Sequence, residues 1–346
     1  MLALLIVLAV LVVLAAALAL AVALLGSSVP PLPVVAPHPA ASQEQALAKL
    51  AAIQEAEGPD IAPACRTQLL RPQGPPRGTI VVWHGFTACP AQFAEVSELL
   101  CAEGFFVLIG RLPHHGQADR LGDVLKDLTA EEIVEFAHRC IDIAAGLPGP
   151  LYEVGLSAGG ALACFMGAER SEVDRLVAIS PFVEPKSVPG VLGRFLVRVR
   201  SWLPRIWLWW DPVRKQDLGI FPHMYPGFPL SALLSFMHIG EYLQGGQAVL
   251  AHPLERAVLV TNPGDFAIHR GAARAMFERS FAGRADEVLE LTLSRDLGWW
   301  HDFVDQQGLK HGTPDEVTDL ILAGLGLSDD QTVGGIVASI RDVNAP

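Results

Sequence analysis

Short β-rich runs alternate with helical segments through most of the chain, and this alternation constrains the fold more than any other feature. Parallel strands need long crossover connections, usually helices, so the order predicts a mainly parallel sheet covered on both faces. The predicted strands are Thr79–Trp83, Phe105–Ile109, Leu151–Val154, Leu176–Ser180, Ala257–Thr261 and Val288–Leu293. The predicted helices are Ala91–Glu103, Ala130–Ala145, Ala158–Ala168, Gly271–Phe281 and Pro314–Leu325. We therefore expect an α/β fold with a mainly parallel central sheet flanked by helices.

One long interval interrupts this alternation. The residues between Ser180 and Ala257 are rich in proline and tryptophan, and no strand is predicted there. A gap of roughly 75 residues inside a compact domain is usually functional rather than a simple loop.

The N-terminal segment is apolar at every position from Met1 to Leu25. As a helix it would be about 36 Å long, enough to cross a hydrocarbon core of about 30 Å. It exceeds an ordinary signal-peptide core and has no Lys or Arg, so we expect a single-pass N-terminal transmembrane anchor with an extracytoplasmic body. The alternative is a cleaved signal ending near Ala21 to Ser27, which would leave the body secreted. Orientation stays open, because the first charged residue is Glu44.

Composition shifts divide the chain into segments. Five prolines between residues 26 and 41 favour an extended spacer that holds the body off the membrane. A helix is expected from Ser42, with Gln45 completing a possible capping box. The expected organisation is an anchor or signal (1–25), a Pro-rich linker (26–41), an N-terminal helix and lead-in (42–77), an α/β domain (78–330) and a C-terminal tail (331–346).

The charge balance limits the partners. Lys and Arg total 25 against 37 Asp and Glu, a net charge of −12, so a nucleic-acid partner is not expected.

His114 and His115 stand together, but no third ligand accompanies them at a suitable spacing, so we expect no metal and no cofactor. The oligomeric state is left open.

The sharpest motif is the G-x-S-x-G sequence formed by residues 155–159. It follows the predicted strand Leu151–Val154 and opens the predicted helix Ala158–Ala168. Ser157 therefore falls on a tight strand-to-helix turn, where its hydroxyl stands exposed and large neighbours would clash. We expect Ser157 to be a nucleophile.

A serine nucleophile needs a base to take its proton and a carboxylate to orient that base. Asp265 follows the strand Ala257–Thr261, and His301 follows the last predicted strand, so the order Ser, Asp, His is obtained. Rival histidines are His269, which follows the wrong strand, and His311, which lies beside the final helix. Glu184 is the alternative acid.

The developing oxyanion requires backbone N–H donors. Ala158 directly follows the nucleophile, and Phe86 lies in the loop after the strand Thr79–Trp83. These two residues are the expected donors. His84, in the same loop, is expected to be a structural histidine that hydrogen-bonds the loop.

Five motifs together resemble a known family. They are HGFTACP (84–90), RLPHHG (111–116), GLSAGG (155–160), Asp265 and His301-Asp302. This set resembles the α/β-hydrolase fold superfamily, in particular its carboxylesterase and monoacylglycerol-lipase-like serine hydrolases, which overlap with serine aminopeptidase-like enzymes. The resemblance covers roughly residues 78–325.

The resemblance implies a serine hydrolase that cleaves small-molecule carboxylic esters or lipids through an acyl-enzyme. It also implies a cap inserted over the site at about residues 182–253. Aromatic residues there, Trp207 to Trp210 and the cluster of Phe221, Met224, Tyr225 and Phe228, either line an acyl pocket or attach the cap to the body.

Two other functions remain open. An amidase or aminopeptidase-like activity would be favoured if Glu184 or Glu241 bound a substrate amine. A non-catalytic binding protein on this scaffold is the third possibility, against which the complete Ser, Asp and His set argues.

Five cysteines without close pairs argue against a disulfide-stapled fold. Cys89 and Cys101 would be separated by about 16 Å along a helix, beyond the reach of a disulfide. Cys140 and Cys164 fall within predicted helices. In an exported protein, Cys65 and Cys89 are the pair to test.

Overall fold

An eight-stranded sheet forms the centre of the molecule, as seen in a computed structural model that describes residues 2–25, 29–186, 188–215, 222–246, 254–308, 310–328 and 333–345. The strands are β1 (Gln68–Leu70), β2 (Gly78–Trp83), β3 (Phe105–Gly110), β4 (Leu151–Leu156), β5 (Val173–Ile179), β6 (Trp207–Trp209), β7 (Gly227–Pro229), β8 (Arg256–Thr261), β9 (Glu287–Leu293) and β10 (Val337–Asp342). The large sheet has the order β1-β3-β2-β4-β5-β8-β9-β10, and β6 pairs with β7 separately.

The six inner strands of the large sheet are parallel, whereas β1 and β10 pair antiparallel at its two edges. The six strands predicted from the sequence are these inner strands. Their carboxyl ends meet at one edge of the sheet, so the loops after β2, β4, β8 and β9 are brought together there.

Helices cover both faces of the sheet. The α-helices of the described residues, of which α1 and α6 lie away from the sheet, are α1 (Leu2–Leu25), α2 (Gln43–Ala56), α3 (Ala94–Ala102), α4 (Ala130–Ala144), α5 (Ala158–Glu169), α6 (Gly190–Val199), α7 (Leu230–Gln244), α8 (Arg270–Phe281) and α9 (Pro314–Gly324). Alternate residues of β2 face opposite layers: Ile80 and Val82 pack with α3 and α9, and Val81 and Trp83 pack with α4 and α5. Every residue of β2 is buried, as expected for a strand covered on both sides.

Capping residues explain where several helices begin. Thr129 and Glu132 form a reciprocal capping box at the start of α4, and Thr313 and Glu316 do the same for α9. At α2 the box is incomplete, since Ser42 accepts a hydrogen bond from the Gln45 N–H while the Gln45 side chain bonds to Ala41 N.

The proline-rich segment corrects one expectation. Its described part, residues 29–41, is extended, but it lies against the body instead of holding the body away. Val29 and Leu32 are buried in the main hydrophobic core, and the carbonyl of Pro30 contacts His238 Nε2 at 2.7 Å. The spacer interpretation was wrong, because burying the apolar side chains between the prolines against the helices has a lower free energy than exposing them to water.

The expected N-terminal anchor is not confirmed. Helix α1 packs against α6, but the side chains of residues 2–11, 14 and 18 lie outside the described part of the chain. Among the described residues, no helix has the length and apolarity needed to span a bilayer. The anchor therefore remains a prediction from the sequence.

The chain between β5 and β8 supplies α6, the β6–β7 hairpin and α7. Helix α7 packs beside α5 and α8 in the body, whereas α6 and the hairpin lie outside this layer. We call the segment 186–229 the cap region; residues 187 and 216–221 within it are not described. The expected C-terminal tail also contains structure, because β10 extends the sheet beyond β9.

Candidate active site

Ser157 occupies the turn between β4 and α5 with φ 58° and ψ −117°. A positive φ is uncommon for a residue with a side chain and marks a strained turn. The two flanking positions must be glycine, because a Cβ at either would clash with the backbone. A Cβ on Gly155 would lie 2.1 Å from the carbonyl oxygen of Gly159, and a Cβ on Gly159 would lie 2.1 Å from that of Trp83. The sequence motif thus folds as the expected elbow.

His301 and Asp265 meet at the carboxyl edge of the sheet, in the loops after β9 and β8. His301 Nδ1 lies 2.6 Å from Asp265 Oδ2, and Asp265 Oδ1 accepts a hydrogen bond from Ala267 N at 2.8 Å. Burial by itself lowers the pKa of His301, but the hydrogen bond and charge of Asp265 and the charge of Asp302 raise it above its ordinary value.

The same pair shifts the acid in the opposite direction. Burial alone raises the pKa of Asp265, but its hydrogen bond to His301, the charge of His301 and a backbone hydrogen bond bring that pKa below its usual value. Both shifts favour an imidazolium beside a carboxylate, which is what a serine-activating base requires once it holds the proton. Between the described atoms of Ser157 and His301 there is no direct hydrogen bond.

The rival residues have other roles. His269 caps the N-terminus of α8 by accepting a hydrogen bond from Ala272 N at 2.9 Å, and His311 Nδ1 contacts the carbonyl of Gly312. Glu184 lies at the base of the cap region, with His269 Nδ1 at 4.0 Å. None of the three forms a hydrogen bond or ion pair with Asp265 or His301 in the described part of the structure.

The two expected oxyanion donors lie on adjacent loops. Ala158 begins α5, where the helix dipole favours negative charge. Phe86 lies in the loop after β2. The N–H of the residue before it, Gly85, already donates a hydrogen bond to the Gln92 side chain. Among the described residues, the N–H groups of Phe86 and Ala158 have no hydrogen-bond acceptor.

Gln92 was not among the site residues predicted from the sequence. Its side-chain oxygen accepts a hydrogen bond from Gly85 N at 2.7 Å, and its amide nitrogen donates to both carboxylate oxygens of Asp302 at 2.9 Å. Gln92 therefore joins the loop after β2 to the residue beside His301. A glutamine in a short helical turn gives no sequence signal of this role, because Asp302 is 210 positions away.

His84 hydrogen-bonds its own loop, as expected. Its Nδ1 contacts the carbonyl of Gly85 at 2.9 Å, and its Nε2 accepts from Leu112 N at 3.1 Å. Burial lowers its pKa well below the ordinary value, and burial likewise lowers the pKa of His115 to about 3. No cluster of three or more potential metal ligands occurs among the described residues.

A disulfide joins Cys65 to Cys89, with the two Cα atoms 5.1 Å apart. This is the pair singled out from the sequence, and Cys101, Cys140 and Cys164 are free. Because Cys89 ends the loop that contains Phe86, the bridge fastens this loop to the segment before β1.

Aromatic residues of the cap region pack on the same loop. The ring of Phe86 contacts Phe228 at 4.8 Å and Trp210 at 6.1 Å between centroids. Tyr225 and Phe228 are buried, and Phe221 lies outside the described residues. Ser157 is only 8% exposed. These contacts attach the cap region to the body, the second of the two interpretations considered for the aromatic cluster.

Comparison with known proteins agrees with this architecture. The serine aminopeptidase, S33, family matches residues 74–227, and no curated protein matches the chain. A structure of the metagenome-derived lipolytic enzymes LipS and LipT covers 78% of this chain and 100% of its own, with 17% identity and a TM-score of 0.57. The chain has the α/β-hydrolase fold.

Two further structures share this α/β-hydrolase fold. A soluble variant of monoglyceride lipase from Saccharomyces cerevisiae covers 75% of this chain and 92% of its own, with 13% identity and a TM-score of 0.57. The Paleococcus ferrophilus monoacylglycerol lipase covers 75% of this chain and 99% of its own, with 16% identity and a TM-score of 0.53. At these identities the similarity concerns the fold. The resemblance to α/β-hydrolases, first seen in the motifs, is confirmed for the fold.

Proposed function

We propose that this α/β-hydrolase is a serine hydrolase that cleaves carboxylic esters with Ser157, His301 and Asp265. The observation that supports it most is the 2.6 Å contact between His301 and Asp265 at the edge of the sheet where the strained elbow presents Ser157. Asp265 holds the imidazole in the tautomer whose Nε2 is free to accept a proton.

The proposed reaction has two stages. Ser157 Oγ attacks the ester carbonyl carbon while its proton passes to His301 Nε2, and the N–H groups of Phe86 and Ala158 stabilise the oxyanion. Collapse of this intermediate breaks the ester C–O bond, and the departing alkoxide takes the proton from His301. Water then attacks the acyl-enzyme with His301 as base, which releases the acid and restores Ser157.

A lipid-like ester is the proposed substrate class. Three structures with this fold come from proteins described as lipolytic enzymes or monoacylglycerol lipases.

A panel of p-nitrophenyl esters from acetate to palmitate tests the activity. We expect hydrolysis by the parent and a loss of at least about 10³-fold in kcat for Ser157→Ala. Ser201→Ala, which changes an exposed serine of the cap region, is the matched control and should retain parental rates. Equal rates in both variants would overturn the proposal, and an inactive but folded parent would favour a binding protein.

Amide hydrolysis is the second candidate, and two buried carboxylates favour it. Glu184 and Glu241 each have a buried side-chain oxygen with no hydrogen-bond partner, and Arg194 lies 3.2 Å from the other oxygen of Glu241. Burial raises the pKa of Glu241 to about 7. Aminoacyl p-nitroanilides cleaved faster than the matched esters, with the preference lost in Glu184→Gln, would establish this function in place of esterase activity.

The sequence and the cap region together support action at a membrane surface. The segment 186–215 contains only Asp211 as an acid, although the whole chain is strongly acidic. The cations of the segment 186–215 are Lys186, Arg194, Arg198, Arg200, Arg205, Arg214 and Lys215.

Cations suit an anionic lipid surface, and the apolar residues 1–25 would add an anchor. Membrane fractionation followed by carbonate washing tests the anchor. We expect the full chain to remain in the pellet, and its quantitative release would contradict an anchor.

A further inference from the structure

Thr87, in the loop after β2, receives two hydrogen bonds from the cap region. Trp210 Nε1 donates a hydrogen bond to Thr87 Oγ1 at 2.9 Å, and Tyr225 N donates to the Thr87 carbonyl at 3.0 Å. The Tyr225 hydroxyl donates to the His114 carbonyl at 3.0 Å and accepts from Gln117 N at 2.9 Å. Two cap residues thus bind both the side chain and the backbone of Thr87.

Thr87 has a backbone conformation that its own sequence disfavours. Its φ is 64°, and a β-branched residue with positive φ is a genuine outlier. Thr87 is also completely buried. Such a conformation persists only where the surroundings determine it, and here the hydrogen bonds from Trp210 and Tyr225 act together with the turn closed by Ala88 N and the Gly85 carbonyl.

Thr87 is the direct neighbour of Phe86, whose N–H is the proposed oxyanion donor. On the other side, Gly85 N is fixed by the side chain of Gln92 at 2.7 Å. The ring of Phe86 is packed against Phe228 and Trp210. The peptide that presents the Phe86 N–H is therefore held from the body at Gly85 and from the cap region at Thr87.

We propose that Trp210 and Tyr225 are positioning residues that set the oxyanion hole by binding Thr87. This inference rests on the proposed function and adds to it: the cap region completes the catalytic geometry as well as covering the site. The position of the Phe86 N–H then depends on how the cap region packs against the loop after β2. A substrate that displaced Trp210 or Tyr225 would be bound but poorly hydrolysed.

Trp210→Phe tests this directly, because it removes the indole N–H and keeps an aromatic ring beside Phe86. We expect kcat for a p-nitrophenyl ester to fall about 10-fold or more with little change in KM. A slightly misplaced N–H donor stabilises the oxyanion of the transition state less well, whereas it contributes little to binding of the substrate. The affinity for a trifluoromethyl ketone, whose adduct carries an oxyanion, should fall in parallel. Trp202→Phe is the matched control, because Trp202 is exposed and should leave every parameter unchanged.

Thr87 gives a second test on the other partner of the same bond. Thr87→Val removes the hydroxyl and keeps the β-branch, whereas Thr87→Ser keeps the hydroxyl. We expect the valine variant to lose kcat as Trp210→Phe does and the serine variant to retain it. The double variant of Trp210→Phe and Thr87→Val should lose no more kcat than either single variant, because both substitutions remove the same hydrogen bond.

The outcomes separate this inference from the proposed function. A parent without esterase activity would defeat the proposed function. With an active parent, unchanged kcat in folded Trp210→Phe or Thr87→Val, or equal losses in Trp202→Phe, would overturn the inference. A rise in KM alone would also overturn it, because that result would assign Trp210 to substrate binding. Thermal unfolding of each variant establishes that it is folded.

Discussion

Charge around His301 determines the chemistry at the scale of single residues. Asp265 and Asp302 both raise the pKa of His301, against the opposing effect of burial. Burial also raises the pKa of Asp302, and the charge of the neighbouring Asp305 adds to that rise. The proposed base therefore stays protonated to a higher pH than an isolated histidine, and only its neutral form accepts the proton of Ser157.

The pH profile of kcat/KM follows from these shifts. Because the pKa of His301 is raised, activity should increase with pH through a midpoint above about 6.5. Asp302→Asn removes a negative charge that raises this pKa, so the midpoint should move to lower pH. Asp296→Asn, which changes an exposed carboxylate after the same strand, is the control. An unchanged or higher midpoint in Asp302→Asn would contradict this account of His301.

The elbow glycines make a second prediction at this scale. A Cβ on Gly159 would lie 2.1 Å from the carbonyl oxygen and 2.6 Å from the carbonyl carbon of Trp83. Since both atoms belong to the backbone of a buried strand, Gly159→Ala should destabilise the protein by more than about 4 kcal/mol. Gly74→Ala, where a Cβ meets nothing within 4 Å, should have little effect. Equal melting temperatures for the two variants would refute the steric argument.

The sequence predicted residues whose role depends on local context, and it missed those that depend on distant contacts. The strand-to-helix turn at Ser157 is a local pattern, and the structure brings Asp265 and His301 together as their places after β8 and β9 predicted. Gln92, Trp210 and Thr87 have roles only through partners far along the chain. No periodicity or spacing reports such contacts.

At the scale of elements, length decided what the sequence could predict. The inner strands and the long helices have periodic or continuous apolar patterns and were found. Strands β1, β6 and β7 have three residues each, too few for a period to be recognised. Strand β10 is mostly exposed, so its side chains lack the apolar pattern of a buried strand.

Arg170 connects several of these elements. Its side chain is fully buried and bonds to Asp142 at 2.7 Å and to Glu172 at 2.8 Å. Asp142 in turn accepts a hydrogen bond from His38 N at 3.0 Å in the segment 29–41. One ionic group thus connects α4, the end of α5 and the N-terminal segment.

We expect Arg170→Ala to lower the free energy of unfolding by about 3–5 kcal/mol, because it leaves a buried carboxylate without its partner. Urea denaturation measures the change. Arg139→Ala, an exposed arginine of α4, should shift the midpoint far less. A loss in Arg170→Ala no larger than in this control would show that the buried ion pair contributes little.

At the scale of the whole molecule, the parallel sheet brings distant loops together at one edge, and the Cys65–Cys89 bridge fastens one of them. The bridge joins residues 24 positions apart, which corresponds to roughly 3 kcal/mol of stabilisation in the chain-entropy model. Its position beside the loop of Phe86 connects the stability of the fold to the proposed oxyanion hole.

Non-reducing peptide mapping by mass spectrometry should find Cys65 linked to Cys89 and the other three cysteines free. The variant with both Cys65→Ser and Cys89→Ser should melt at a lower temperature than the parent. Cys101→Ser, which changes a free thiol, serves as the control. Recovery of Cys65 and Cys89 as free thiols in protein from an oxidising compartment would contradict the pairing.

The central claim is that Ser157 is an activated nucleophile, and covalent labelling with a fluorophosphonate probe tests it most directly. The probe reacts with a serine whose proton is taken by a neighbouring base. We predict one adduct on the intact protein, mapped by tandem mass spectrometry to Ser157, abolished in Ser157→Ala and strongly reduced in folded His301→Ala. Equal labelling of parent and Ser157→Ala, or an adduct on another residue, would contradict the claim.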